Sequence, residues 1–233
     1  MKKRFLFLTC AAMAMGCGGA QPPNVVFIMA DDLGYGDLGC YGATHFKTPA
    51  CDRLATEGLR FTDAHSPSAV CSPTRYSVLT GRYAWRTWMK NWVLFEEHPL
   101  LIDTERLTLG TVFKQAGYTT GCVGKWHLGW GTELNPDLGA QPKPGPLEVG
   151  FESFFGVPFS HNSRKSWQVY VRDRTVEGLK PGLKYDSPEA MADTVRSLED
   201  TAIRLSKEAV DFVTRHKDEP FFLYYPTTNV HSP

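Results

Sequence analysis

The chain has no net charge, no internal repeat and few cysteines, and each of these narrows what it can be. Lysine plus arginine equals aspartate plus glutamate, 25 against 25, so the bulk charge carries neither a nucleic-acid footprint nor an acidic tail. Any anion recognition has to be local. There are six cysteines, and the spacing of Cys40, Cys51, Cys71 and Cys122 fits no metal-knuckle pattern. In an oxidising compartment these four are expected to form two disulfides. Cys51 and Cys122 also have the surroundings of small buried apolar residues, one on a helix and one on a strand.

A long apolar run is missing as well. Phe5 to Met15 is too short to span a bilayer as a stable anchor. It follows Lys2, Lys3 and Arg4 and precedes the small residues Gly16, Cys17 and Gly18, which is the layout of an export signal. Residues 1–20 are therefore read as a signal peptide or a lipoprotein signal, with Cys17 the lipid-anchor candidate. The expected location is exported: periplasmic, an outer-membrane lipoprotein, or secreted. Removing this segment leaves a mildly acidic chain.

What is present is an alternation of strand and helix patterns, expected to give an α/β fold with helices on both faces of a mostly parallel sheet. Val25 to Ala30 reads as a strand buried on both sides. Thr48 and Pro49 start a helix with Leu54 and Ala55 inside and Gly58 at its end. Leu59 to Ala64 is expected to return as a strand. Ser72 and Pro73 open a second helix that Gly81 closes. Thr108 to Gly117 carries an apolar stripe and leads into a strand over 118–123. Residues 131–150, rich in proline and glycine, read as a surface loop, and 166–172 with 175–176 as a hairpin. A long helix covers about 198–216. The strand Phe221 to Tyr225 then delivers Thr227, Asn229 and His231 to its C-terminal end. The chain stops there, and the expectation is a fold truncated at its C-terminus, with residues 22–233 the N-terminal portion of a larger α/β domain.

Ligands in open α/β sheets gather beyond the carboxyl ends of the strands. Three such ends carry polar clusters: Asp31/Asp32, Lys125/His127 and Asn229/His231. Two adjacent carboxylates after an apolar strand are costly unless a cation or hydrogen bonds neutralise them, and a hard divalent metal is the simplest partner. Cys71 lies just ahead of Pro73, where a helix N-terminus lowers a thiol pKa and welcomes an oxyanion. A cysteine-phosphatase loop would need two more residues between Cys71 and Arg75. Taken singly, each residue has an ordinary reading: Asp31/Asp32 a cap, Lys125 a surface charge, His127 and His231 structural, Cys71 half of a disulfide. Together they describe hydrolysis of a charged ester.

The segment Cys71-Ser72-Pro73-Thr74-Arg75, continued by Leu79-Thr80-Gly81-Arg82, resembles the CxPxR signature of the sulfatase family in the alkaline-phosphatase-like superfamily. Pro23 to Gly42 is similar to that family's opening metal strand, and Gly124-Lys125-Trp126-His127-Leu128-Gly129 to a second motif. Ser160-His161 and Asn229-Val230-His231-Ser232-Pro233 resemble further active-site segments. The resemblance implies an alkaline-phosphatase-like three-layer sandwich and an arylsulfatase-like sulfuric ester hydrolase. It implies that a separate formylglycine-generating enzyme oxidises Cys71 to formylglycine, whose hydrated aldehyde attacks sulfur. Asp31, Asp32 and residue 71 would bind calcium, or magnesium. Arg75 would orient the nucleophile, Lys125 would bridge nucleophile and sulfate, His127 would handle the diol proton, and His231 would bind sulfate or protonate the leaving oxygen. Ser160 would hydrogen-bond the substrate, a sulfated small molecule or glycan. Two other readings stay open: a non-catalytic remnant that binds sulfated ligands, and a phosphate ester hydrolase of the same superfamily. The family's second metal-binding Asp-Asn pair and sulfate-binding lysine would fall beyond Pro233, which implies weak metal binding and impaired activity.

Overall fold

The computed structural model describes residues 21–231; the expected export signal, with Cys17, lies outside them. Six strands form one sheet: β1 (Val25–Met29), β2 (Thr119–Lys125), β3 (Ser153–Val157), β4 (Val171–Arg172), β5 (Thr175–Val176) and β6 (Phe221–Pro226). Their spatial order is β1-β6-β2-β3-β4-β5. The first four in that order run parallel, with Val25 opposite Phe222, Gly121 opposite Leu223 and Cys122 opposite Phe154. Strands β4 and β5 close the far edge as an antiparallel hairpin.

Strand alternation explains the layers. On one face Cys122, Phe154, Phe222 and Tyr224 pack with Tyr76 and Leu79 of α2 (Cys71–Thr80) and with Leu109 and Phe113 of α3 (Leu109–Gln115). On the other, Val123, Phe155, Phe221 and Leu223 pack on Leu205, Ala209 and Phe212 of the long helix Thr201–His216. Period-two alternation with apolar residues at both phases is what a sheet covered on both sides requires. The expected three-layer α/β arrangement with a mostly parallel sheet is present. Close strand packing needs glycine at Gly156, where a Cβ would overlap the carbonyl oxygen of Gly124.

Several local expectations fail for identifiable reasons. Strand β1 is an edge strand paired only with β6, so Val26 and Ile28 are 45% and 59% exposed rather than buried on both sides. Residues 59–64 form no strand, and Leu59 and Phe61 are exposed. Helix α1 (Pro49–Glu57) starts and ends where expected, but Leu54 points to solvent. Polar contacts hold it instead: the Asp52 carboxylate accepts from the Cys40 amide at 2.7 Å and from the Thr48 hydroxyl at 3.1 Å. Cys51 on that helix is exposed, whereas Cys122 is buried as expected, and all four cysteines are free, so the expected disulfides are not formed. Residues 131–150 are no simple surface loop, because Leu138, Pro146 and Val149 are buried.

Parallel strands bring their C-terminal ends to one edge, and hydrogen bonds continue the ladders past the strands. The Thr227 amide donates to the Met29 carbonyl at 2.9 Å, the Asp31 amide to the Asn229 carbonyl at 2.7 Å, and the His127 amide to the Pro158 carbonyl at 3.0 Å. The first two tie the Asp31 segment to the one that ends at His231, and the third ties the His127 segment to the end of β3.

Candidate active site

Helix α2 supplies the centre. Val70 precedes it in extended conformation, Cys71 is its first residue, and Pro73 falls within the first turn, where a missing N–H costs nothing. Gly81 ends it at φ 64°, its amide bonded to the Ser77 carbonyl at 2.8 Å. Cys71 therefore sits where the free amides and the positive dipole end of a ten-residue helix converge.

One helical turn further on, Arg75 is buried and reaches across to two strand ends. Its Nη2 donates to Asp31 Oδ1 at 2.9 Å, and its Nη1 donates to the Lys125 carbonyl at 2.6 Å. Lys125 Nζ donates to Asp31 Oδ2 at 2.7 Å. Asp31, Arg75 and Lys125 are 3%, 1% and 0% exposed, so this is a buried cluster with one positive charge in excess. Burial alone would push the Asp31 carboxyl up, but Arg75 and Lys125 outweigh it and hold the group below its ordinary value of 3.8. Because the folded value is depressed, its stabilising contribution is present above the unfolded value and is lost as pH falls through the folded one. Stability is thus expected to drop below about pH 4, with an Asp31→Asn variant less stable at pH 7 and flatter in acid. Urea melts at pH 3 to 7 check this.

His127 is buried, and its backbone adopts φ 54°. Its Nε2 lies 2.9 Å from the Leu94 carbonyl, while Nδ1 is buried with no hydrogen-bond partner. A carbonyl only accepts, so Nε2 carries the proton and Nδ1 holds a lone pair. Burial first, then the Lys125 and Arg75 charges, lowers the His127 pKa well below its usual range and keeps the ring neutral. Asp32, with φ 62°, turns its half-exposed carboxylate toward His231, whose Nε2 is 3.7 Å from Oδ2. The left-handed backbone at both Asp32 and His127 is the sort of local strain that clusters at functional sites.

A cavity of about 740 Å³ is bordered by Cys71, His127, Ser160 and His231 together with Asp32 and Trp92. A second hollow of about 310 Å³ shares Cys71 and Asp32 and adds Asp31 and Arg75. Cys71 borders both, with Asp32, Leu33, Ala69 and Val70. The Ser160 hydroxyl donates to Asn162 Oδ1 at 2.9 Å. Lys125 differs from the rest of the expected set: it borders neither space, and its ammonium is spent on Asp31. Sequence reasoning missed Trp92, Phe95, Glu96, Asn162 and Ser163 on the cavity wall. They lie in irregular segments without a periodic signal.

The residues at this site do not make a complete divalent-cation shell. Calcium takes six to eight oxygen ligands, and both Asp31 oxygens are already ion-paired. Among the described residues no group of three or more His, Cys, Asp or Glu side chains is arranged to hold a metal. Asp32 is the carboxylate left with an exposed face.

The Sulfatase family model matches residues 23–233. The chain belongs to the sulfatase family. It is 35% identical to N-acetylgalactosamine-6-O-sulfatase of Bacteroides thetaiotaomicron, over 92% of this chain and 49% of that protein. It is 38% identical to human arylsulfatase A, over 95% of this chain and 44% of the relative. The chain thus spans about half the length of the curated relatives it matches. A solved 6S-sulfatase from work on glycosaminoglycan metabolism by Bacteroides thetaiotaomicron superposes with a TM-score of 0.85 at 34% identity, over 92% of this chain and 52% of the other. Ps i-CgsB, crystallised with k-i-k-neocarrahexaose, superposes at 0.67 with 28% identity, over 91% and 46% of the two chains. Against these sulfatases the three-layer architecture is the shared alkaline-phosphatase-like fold. Among the described residues no helix is long and apolar enough to cross a membrane.

Proposed function

We propose that this sulfatase-family chain is part of an exported sulfuric ester hydrolase acting on a sulfate monoester of an aryl or sugar hydroxyl, with formylglycine made from Cys71 by a separate maturing enzyme. The observation that carries the reading is the position of Cys71: a free thiol on the first turn of α2, bordering both hollows, one turn from Arg75 and sharing a cavity with His127 and His231. Its relatives are named for sulfated amino sugar and aryl substrates, and a neighbour was crystallised with k-i-k-neocarrahexaose, which supports a sulfated glycan.

The formylglycine group supplies the oxygen nucleophile toward sulfur. The residues of the chain do the rest. The α2 amides and dipole receive the sulfate oxygens. The excess positive charge of Asp31, Arg75 and Lys125 lies behind them and offsets charge that develops during displacement. His127 Nδ1 accepts a proton from the nucleophile, since Leu94 fixes the tautomer that leaves this nitrogen bare. His231, beside Asp32, donates to the leaving oxygen, and Ser160 hydrogen-bonds the substrate. Lys125 acts by holding Asp31. Asp32 would offer its exposed face to a calcium or magnesium ion, with Asp31 behind it held by Arg75 and Lys125.

The phosphatase alternative is separated by paired substrates. A phosphate monoester dianion brings one more negative charge than a sulfate ester toward Asp32. For nitrophenyl sulfate against nitrophenyl phosphate, kcat/KM is expected to favour the sulfate by about 100-fold, roughly 3 kcal/mol. A ratio favouring phosphate would overturn the reading, and binding of sulfated ligand without turnover would favour a non-catalytic module.

A further inference from the structure

Residues 64–95 contain no aspartate or glutamate, yet they carry Arg75, Arg82, Arg86 and Lys90. Arg75 is bound to Asp31. The other three lie on the segment leaving α2, and no ion pair is formed by them among the described residues: Arg82 Nη2 donates to the Arg86 carbonyl at 3.0 Å and Lys90 Nζ to the Trp85 carbonyl at 3.3 Å. The same segment exposes Tyr83, Trp85, Trp88 and Trp92, each by half or more. Buried Ala84 and Met89 pin it to the body, and the Thr87 hydroxyl ties it internally, donating to the Ala84 carbonyl at 2.7 Å and accepting from the Met89 amide at 3.1 Å. This is a built surface.

Its shape is directional. The rings of Tyr83 and Trp85 lie nearly parallel, 5.9 Å apart at 17°, and the Arg86 guanidinium is 5.9 Å from the Trp85 ring. Tyr83, Trp85, Lys90 and Trp92 line a groove of about 130 Å³. Trp92 and Val70 border both this groove and the cavity at Cys71, so one opens beside the other.

Exposed aromatic faces are costly in water unless something covers them. The negative face of an aromatic ring suits the polarised C–H groups on one side of a sugar ring, and cations without carboxylate partners suit sulfate or carboxylate groups on that sugar. A small aryl sulfate would fill only the cavity. Building on the sulfatase reading, we infer that the substrate is an anionic oligosaccharide, its reactive sulfate at Cys71 and its neighbouring sugars carried over Trp92 onto Trp85, with Arg86 and Lys90 holding a second anionic group.

Calorimetric titration of a Cys71→Ala chain with a sulfated glycosaminoglycan hexasaccharide, the matching disaccharide and the desulfated hexasaccharide tests this. The sulfated hexasaccharide is expected to bind at least about tenfold more tightly than either of the others. Trp85→Ala and Lys90→Ala should each remove most of that advantage, and Trp85→Phe should keep it. Equal affinity for the hexasaccharide and disaccharide, indifference to desulfation, or equal competition by single-stranded DNA would overturn the inference. So would a dimer that Trp85→Ala dissociates and the glycan does not. Conversion of Cys71 in cells that hold a formylglycine-generating enzyme separates the two readings: conversion without length-dependent binding removes this inference alone, whereas length-dependent binding to a chain that keeps its thiol removes the sulfatase reading and leaves the glycan surface standing.

Discussion

A Lys125→Met chain is expected to unfold with about 3–5 kcal/mol less stability than the parent, a drop in Tm on the order of 10 °C. Lys125 is fully buried, and its ammonium is 2.7 Å from Asp31 Oδ2. Methionine fills similar volume but leaves one carboxylate oxygen in the interior with no partner, and the cost of that unpaired charge dominates over any loss of packing. Arg75 still holds the other oxygen at 2.9 Å, so part of the cluster survives. A double variant, Asp31→Asn with Lys125→Met, removes the stranded charge and should recover part of the loss. Thermal melts followed by circular dichroism check both. A single-variant Tm within about 2 °C of the parent would mean that the cluster does not tie β1, α2 and β2 together.

A Cys71→Ala chain is expected to behave in the opposite way, with unchanged stability and sulfate ester turnover at least about 1,000-fold lower. The Cys71 side chain is half-buried and free, borders two hollows, and makes no side-chain hydrogen bond among the described residues. Its removal takes nothing from the core. It takes the proposed nucleophile position from the first turn of α2, which borders one hollow with His127 and another with Arg75. The pair of variants thus separates scaffold from chemistry. Measurement of kcat/KM beside a melt for each shows it, and loss of stability at Cys71→Ala comparable with Lys125→Met would assign Cys71 a structural role.

Local signals in the chain were readable where short-range chemistry decides. Proline just after Cys71 and glycine at 81 set the ends of α2, and both are where the spacing puts them. Lys125 and His127 do lie at the end of β2, and His231 beyond β6. What a sequence does not reveal is partnership across it. The carboxylate of Asp31 is shared by residues 44 and 94 positions away, so Lys125, expected to face the substrate, is committed to holding a neighbour. The edge position of β1 is equally a matter of topology, and it leaves Val26 and Ile28 exposed despite an unbroken apolar run. Leu59 to Ala64 has strand-like residues but forms no strand, and the bonds that join it to Cys40 and Tyr41 use the Arg60 and Tyr41 side chains. Trp92, Phe95 and Glu96 reach the cavity from irregular backbone, where periodicity has no meaning.

Position 71 is proposed as the converted nucleophile of a sulfate ester hydrolase. Mass spectrometry of the peptide containing Cys71, taken from cells that hold a formylglycine-generating enzyme, tests it most directly. The CH2–SH group at position 71 is expected to be replaced by an aldehyde. An intact or disulfide-bonded cysteine throughout the parent protein would contradict it.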